Sequence, residues 1–131
     1  MAKDIYYGRV KLHGEEDELT FMAAHNYASS LYELKRFEEA KSLLRRIVPV
    51  ARRVLGEGNE HTLKMRKIYA RALFDDPAAT LDDFREAVTT LEDSKRIARR
   101  VFGGSHPDTT QIELALGSAR DALRARETPS T

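Results

Sequence analysis

The sequence has no cysteine and no tryptophan, and only four prolines and seven glycines among 131 residues. Without cysteine there is neither a disulfide framework nor a thiolate metal site, and the composition suits a reducing compartment. No apolar run approaches the ~20 residues that cross a bilayer. The opening residues, MAKDIYYGRV, lack the apolar centre of a secretory leader. An excess of either charge is also missing. The formal net charge of +1 creates no global field toward nucleic acid or membrane. These absences lead us to expect a soluble, cytoplasmic protein with no nucleic-acid or membrane partner. At 41% hydrophobic the chain can bury one core or a short solenoid, but hardly two independent domains. One third of the residues are charged and no strand-like alternation of any length occurs, so the fold class expected is all-α.

What is present is a punctuation mark used three times. Residues 14–20 read GEEDELT, residues 56–62 read GEGNEHT and residues 103–109 read GGSHPDT. Each opens on a glycine that ends an apolar-basic run and closes on a threonine six positions later. Thr20, Thr62 and Thr109 lie 42 and then 47 residues apart, a period that marks a stacked repeat array. The glycine is expected to act as a left-handed cap that stops one helix, and the polar residues after it to start the next.

Helical spacing of apolar residues fills the intervals. Residues 3–13 form a partial or capping helix, residues 15–56 a first repeat, residues 57–103 a second, and residues 104–126 a half repeat with a capping helix, followed by a tail at 127–131. Within the repeats the expected helices are 19–34, 37–55, 61–74, 84–102 and 107–126. Glu15, Glu16, Asp17 and Glu18 would open the first of these, where negative charge favours the helix dipole. Equivalent residues keep their character: Tyr27 with Tyr69, Ala28 with Ala70 and Leu31 with Leu73 at an offset of 42, Phe37 with Phe84 and Ala40 with Ala87 at 47. The five extra residues therefore fall in the inter-helix turn at 75–83, where Thr80 is the expected N-cap with Asp83 three residues on. Pro49 lies inside a helix and should kink it. Arg120, standing where Leu31 and Leu73 stood, suggests an outward, solvated end face.

Asn26-Tyr27-Ala28, Tyr32, the turn Lys35-Arg36-Phe37-Glu38-Glu39-Ala40, Arg53-Val54-Leu55-Gly56 and the Gly-x-x-His-Pro-x-Thr link at 103–109 together resemble tetratricopeptide repeats. The period near 42 is similar to the kinesin-light-chain type. The resemblance covers essentially the whole chain. The insertion at 75–83, Pro49, and Ser94 in place of Ile47 depart from it. It implies a right-handed superhelical solenoid of antiparallel helix pairs, about two and a half repeats long, whose first helices line a concave groove. It also implies a non-catalytic protein–protein interaction scaffold that binds a peptide there, with no cofactor. Carried over residue by residue, the groove positions are Met22, His25, Asn26, Ser29, Tyr32 and Glu33 in the first unit. The second unit gives Lys64, Lys67, Ile68, Arg71, Phe74 and Asp75, and the third Gln111, Leu114, Ser118 and Asp121. Asn26 resembles the family's groove asparagine, which can bond a peptide backbone, but its counterparts Ile68 and Ala115 cannot.

Lys64, Lys67 and Arg71 share one helix face at i, i+3 and i+7, with no carboxylate between them. In a groove that face would attract an acidic peptide or a C-terminal carboxylate, with Tyr32 and Phe74 giving apolar contact. The same residues would serve equally as a solvated polar face. Basic pairs at Arg45-Arg46, Arg52-Arg53 and Arg99-Arg100 sit beside core-spaced apolar residues, which reads as a solvated or ion-paired outer face rather than a nucleic-acid stripe. His13, His25, His61 and His106 are scattered, without metal-ligand spacing. No phosphate loop or nucleophile motif occurs, so no catalytic or metal-binding residue is expected. Two further readings stay open. In one the chain self-associates through its end helices, 3–13 and 107–126, where Ile5, Tyr6, Ile112 and Leu116 would be left uncovered; in the other it is an accessory segment of a larger signalling protein or enzyme.

Overall fold

Short polar links separate six helices in the computed structural model, which describes residues 1–127: α1 (Ala2–His13), α2 (Glu18–Glu33), α3 (Phe37–Val54), α4 (Glu60–Asp75), α5 (Leu81–Phe102) and α6 (Pro107–Glu127). There is no strand among the described residues. All but the first residue of the expected tail, 128–131, lies outside them. Each repeat starts with a side-chain cap. The carboxylate of Asp17 accepts from the Leu19 N–H at 2.8 Å, and the amide of Asn59 accepts from the His61 N–H at the same distance. At Thr80 the cap is reciprocal: the Asp83 N–H donates to Thr80 Oγ1 at 3.2 Å and the Thr80 N–H to Asp83 Oδ2 at 2.9 Å. Each such cap contributes about 1 kcal/mol by satisfying an otherwise orphaned amide. Glu15 and Glu16 belong to the turn before α2, so only Asp17 and Glu18 open that helix.

The stops differ from expectation. Gly14 has φ 85° and ψ 169°, and Gly103 has φ 91° and ψ 161°. That is not the left-handed helical cap but an extended region at positive φ, open essentially to glycine alone. The left-handed cap appears instead at the end of α2, on a residue that is not glycine. Lys35 has φ 61°, the Arg36 N–H donates to Leu31 O at 2.8 Å, and the Lys35 N–H donates to Tyr32 O at 2.9 Å. These two bonds form the Schellman pattern.

Every helix packs on the next in sequence, and α2 also packs on α4 and α4 on α6. By contrast α1, α3 and α5 make no close backbone approach to one another. The first helices of the repeats thus form a tight inner layer and the second helices a splayed outer one, which curves the array around α2, α4 and α6. The core divides accordingly into two clusters. Phe21, Ala24, Ala28, Leu44 and Ile47 join Met65, Ile68 and Ala72 in the first; Leu63, Ala70 and Leu73 join Leu91, Ile97, Ile112 and Leu116 in the second. Helix α4 supplies one face to each, as a repeat in a solenoid must.

The departures from the repeat pattern are absorbed locally. The α2–α3 link is residues 34–36 and the α4–α5 link is residues 76–80, while α5 starts three residues before Phe84. The insertion therefore adds two residues to the link and three to the helix. Buried Lys41 clasps it, with Nζ 3.1 Å from Asp76 Oδ2 and 2.9 Å from Glu38 Oε2. Burial alone would lower the lysine's pKa, but the two carboxylates outweigh it and hold the value above the ordinary one. Ser94, buried in place of an isoleucine, donates to Thr90 O at 2.8 Å. Pro49 faces solvent and α3 continues through it, so the Arg45 carbonyl that loses its amide partner can turn to water.

The two ends are unlike. Ile112 and Leu116, expected to be uncovered, are buried in the second cluster because an end helix still covers the repeat before it. Tyr6 is likewise buried, whereas Ile5 is 54% exposed. On α6 the positions equivalent to Phe21, Ala24, Ala28 and Leu31 are Thr110, Glu113, Gly117 and Arg120. Glu113 pairs with Arg99 at 2.7 Å and Arg120 with Glu92 at 3.0 Å. The C-terminal face is sealed with polar groups.

Two substitutions follow from the stops. Gly103→Ala meets no atom within 4 Å yet must adopt a forbidden backbone region, so urea unfolding should show a loss of roughly 1–3 kcal/mol. Lys35→Gly relieves a left-handed lysine and should gain about 0.5–1 kcal/mol in the same measurement.

Candidate functional site

Because α2 and α4 lie side by side in the inner layer, the residues one turn apart on each meet across a shared valley. A cleft of about 370 Å³ opens there, lined by His25, Ser29, Tyr32 and Glu33 of α2 and by Lys64, Lys67, Ile68 and Arg71 of α4. All eight are positions carried over from the family's groove. Met22 and Asn26 stand exposed on α2 outside the cleft, and Phe74 lies half-buried beyond Arg71. Gln111, Leu114, Ser118 and Asp121 are exposed on α6 and do not reach it.

The cationic stripe is less free than its spacing suggested. Lys64 Nζ is 2.6 Å from Glu60 Oε1, four residues before it, and this partner raises the lysine's pKa. Arg71 Nε is 3.6 Å from Asp75 Oδ2, four residues after it. Both carboxylates were visible in the sequence at i,i+4 spacing, just beyond the ends of the stripe. Tyr32 ties the far end together: its hydroxyl accepts from Arg71 Nε at 2.9 Å and donates to Asp75 Oδ2. Burial first, and then the bond to Asp75, push the Tyr32 pKa up. The Arg71 guanidinium lies 5.7 Å from the centre of the Tyr32 ring and 6.0 Å from that of Phe74, within cation–π range.

Lys67 stands apart. It is half-buried and makes no ion pair or hydrogen bond among the described residues. Burial, and then the charge of Arg71, lowers its pKa; Asp108 opposes them and Lys64 adds to them. At the same end His25 faces His61 with ring centres 6.5 Å apart. Burial, Lys64 and His61 lower the His25 pKa, which favours the neutral ring near pH 7. Ile68 floors the cleft. No hydroxyl in it is hydrogen bonded to an imidazole among the described residues, and no cluster of three or more potential metal ligands occurs among them. What the arrangement offers is an anion-seeking ammonium on an apolar floor beside an aromatic ring.

The tetratricopeptide repeat pattern matches residues 20–62 and 79–108, more than half of the chain. The chain belongs to the tetratricopeptide repeat family. Its 42-residue first period fits the kinesin-light-chain-like type. The first match runs from one link threonine to the next, and the second spans α5 and the link to α6. The unmatched stretch between them holds most of α4, with buried Arg66 paired to Asp93 at 2.9 Å, and the start of the lengthened link. Repeats of this family generally mediate protein–protein interaction. No curated protein matches the chain. No helix among the described residues is long and apolar enough to cross a membrane.

An ammonium held half-buried without a partner is a cost to folding. Lys67→Met should therefore raise the thermal midpoint at neutral pH. The folded lysine binds its proton less tightly than the unfolded one, so between its folded pKa and the ordinary 10.5 the unfolded state carries more protons. Wild-type stability gains relative to the variant as pH rises through that window, and the difference between the two melting curves should shrink.

Proposed function

We propose that this chain is a non-catalytic scaffold that holds an acidic peptide segment in the cleft between α2 and α4. The observation that carries the reading is Lys67. It lines the cleft of about 370 Å³ without an ion pair of its own among the described residues, and both of its basic neighbours are already paired. A peptide carboxylate, from a side chain or from a C-terminus, supplies the missing counter-charge. Such a charge-assisted bond contributes about 1.5–3 kcal/mol. Glu33, at the α2 side of the cleft, leaves Lys67 as the point where an anion docks, and Tyr32 with Ile68 receives an apolar neighbour of the acidic residue. A reducing, cytoplasmic setting suits a chain without cysteine.

Fluorescence anisotropy with acidic, neutral and basic peptides, each carrying a central aromatic, tests this at low and high salt. The acidic set should bind selectively and lose affinity as salt rises. Lys67→Glu should weaken it by about tenfold or more, since it puts like charge where a partner was needed. Equal binding of the basic set, or an affinity untouched by Lys67→Glu, would remove the cleft from consideration.

A further inference from the structure

Helix α1 has two apolar sides, and its backbone packs on α2 alone, with Arg46 of α3 reaching only Tyr6 and Tyr7. Tyr6 and Val10 pack into the first core cluster with α2. Met1, Ile5, Gly8 and Leu12, at steps of four, three and four residues, run along a different side of the helix. All four are exposed, Leu12 to 78%. The fold itself shows what such a stripe is for. Forty-two residues on, the same positions of α3 are Leu43, Ile47, Val50 and Val54, and there Leu43 and Ile47 are buried in the core with Phe21 and Ala24. On α3 the Leu43–Ile47 half of the stripe is buried while Val54 stays 39% exposed; on α1 the whole stripe lies bare.

Charge points to the occupant. Asp4 and Lys11 flank the bare stripe on one side, seven residues apart, and neither makes an ion pair among the described residues. We propose that two copies of this chain pair through α1, antiparallel about a two-fold axis near Gly8. In that arrangement each Ile5 meets Leu12 of the partner subunit, because the two positions are equidistant from the axis. Each Asp4 lies within about 3 Å, along the helix, of the level of Lys11 of the partner subunit, and equivalent flanks of antiparallel helices face one another. Both unpaired charges are thereby satisfied twice. Gly8, where an added Cβ would meet nothing within 4 Å, lets the two backbones come close at the crossing. The contact is isologous and so closes on itself. The head-to-tail alternative, α1 against α6, would set Ile5 and Leu12 on Glu113 and Arg120, which are already paired to α5. Helix α1 does not line the cleft between α2 and α4, so this pairing is independent of peptide binding there.

One helix pair buries less than the ~1,200 Å² of a standard interface, so the dimer is reversible. Sedimentation equilibrium up to about 1 mM should show it. Ile5→Glu changes only an exposed residue and should leave helicity intact while abolishing the dimer. Asp4→Lys should weaken association by about tenfold, and Asp4→Lys with Lys11→Asp should restore it to within about threefold. Since the chain has no cysteine, Gly8→Cys should cross-link to a dimer on mild oxidation and Ser118→Cys should not. A strict monomer at the highest concentration overturns the proposal. So does a dimer indifferent to Ile5→Glu, a charge swap that fails to restore association, or faster cross-linking through α6.

Discussion

A stacked array depends on how each repeat leaves the one before it, and here a six-residue link sets that departure. The link opens on a glycine at positive φ and runs through the five residues after it, up to a fully enclosed threonine in the first turn of the next helix. Thr20 Oγ1 donates to Gly14 O at 2.6 Å, and Thr62 Oγ1 to Ala51 O at 3.4 Å, so the hydroxyl that opens one helix is fastened to the backbone that closed the last. An enclosed hydroxyl without a partner costs about 1–3 kcal/mol, which makes the fastening directional. Thr109 is equally enclosed but has no partner among the described residues. The third link is held instead by His106, whose N–H donates to Gly103 O at 3.4 Å, whose Nδ1 accepts from the Asp108 N–H at 3.1 Å, and whose ring stacks on Phe102 at 4.5 Å.

Tyrosines rivet the repeats on either side of this frame. Tyr32 joins α2 to Arg71 and Asp75 of α4 across the inner layer. On the outer side Tyr69 of α4 accepts from Arg45 of α3 at 3.3 Å and donates to Glu86 of α5, spanning two helices that do not otherwise meet. In both places an arginine also lies over the ring, 5.8 Å from its centre at Tyr69. The phenol serves each time as a neutral bridge between a cation and a carboxylate, and it needs no buried charge of its own.

Much of the fold was legible because the constraint is periodic. Pairs such as Leu31 with Leu73 and Phe37 with Phe84 mark the same environment twice, and the reciprocal cap at Thr80 and Asp83 announces itself by spacing. What stayed hidden depended on ψ or on side-chain direction. Glycine at positive φ is readable at Gly103, but its extended ψ is not, and Lys35 gives no sign that it will take the left-handed cap glycine usually fills. Ile112 and Leu116 were misjudged because a terminal helix loses only its outward neighbour. In the cleft, positions were legible and charge was not: Lys64 and Arg71 look free until Glu60 and Asp75, one turn beyond, are seen to reach them.

The connectivity of α1 has a consequence for how the molecule opens. Its backbone packs on α2 alone among the described residues, with Arg46 of α3 adding hydrogen bonds to Tyr6 and Tyr7, whereas α4 is held by four of the other helices. Lifting α1 breaks one helix seam and the Arg46 bonds while the other seams stay whole, so opening is graded along the array and not all-or-none. Protection of backbone amides from exchange should therefore be lowest in α1 and greatest in α4. Since nearly all contacts join helices close in sequence, closing the array again demands little loop entropy and the refolding is fast. The end that frays first is also the end with apolar surface to spare, which couples local opening to whatever meets that surface.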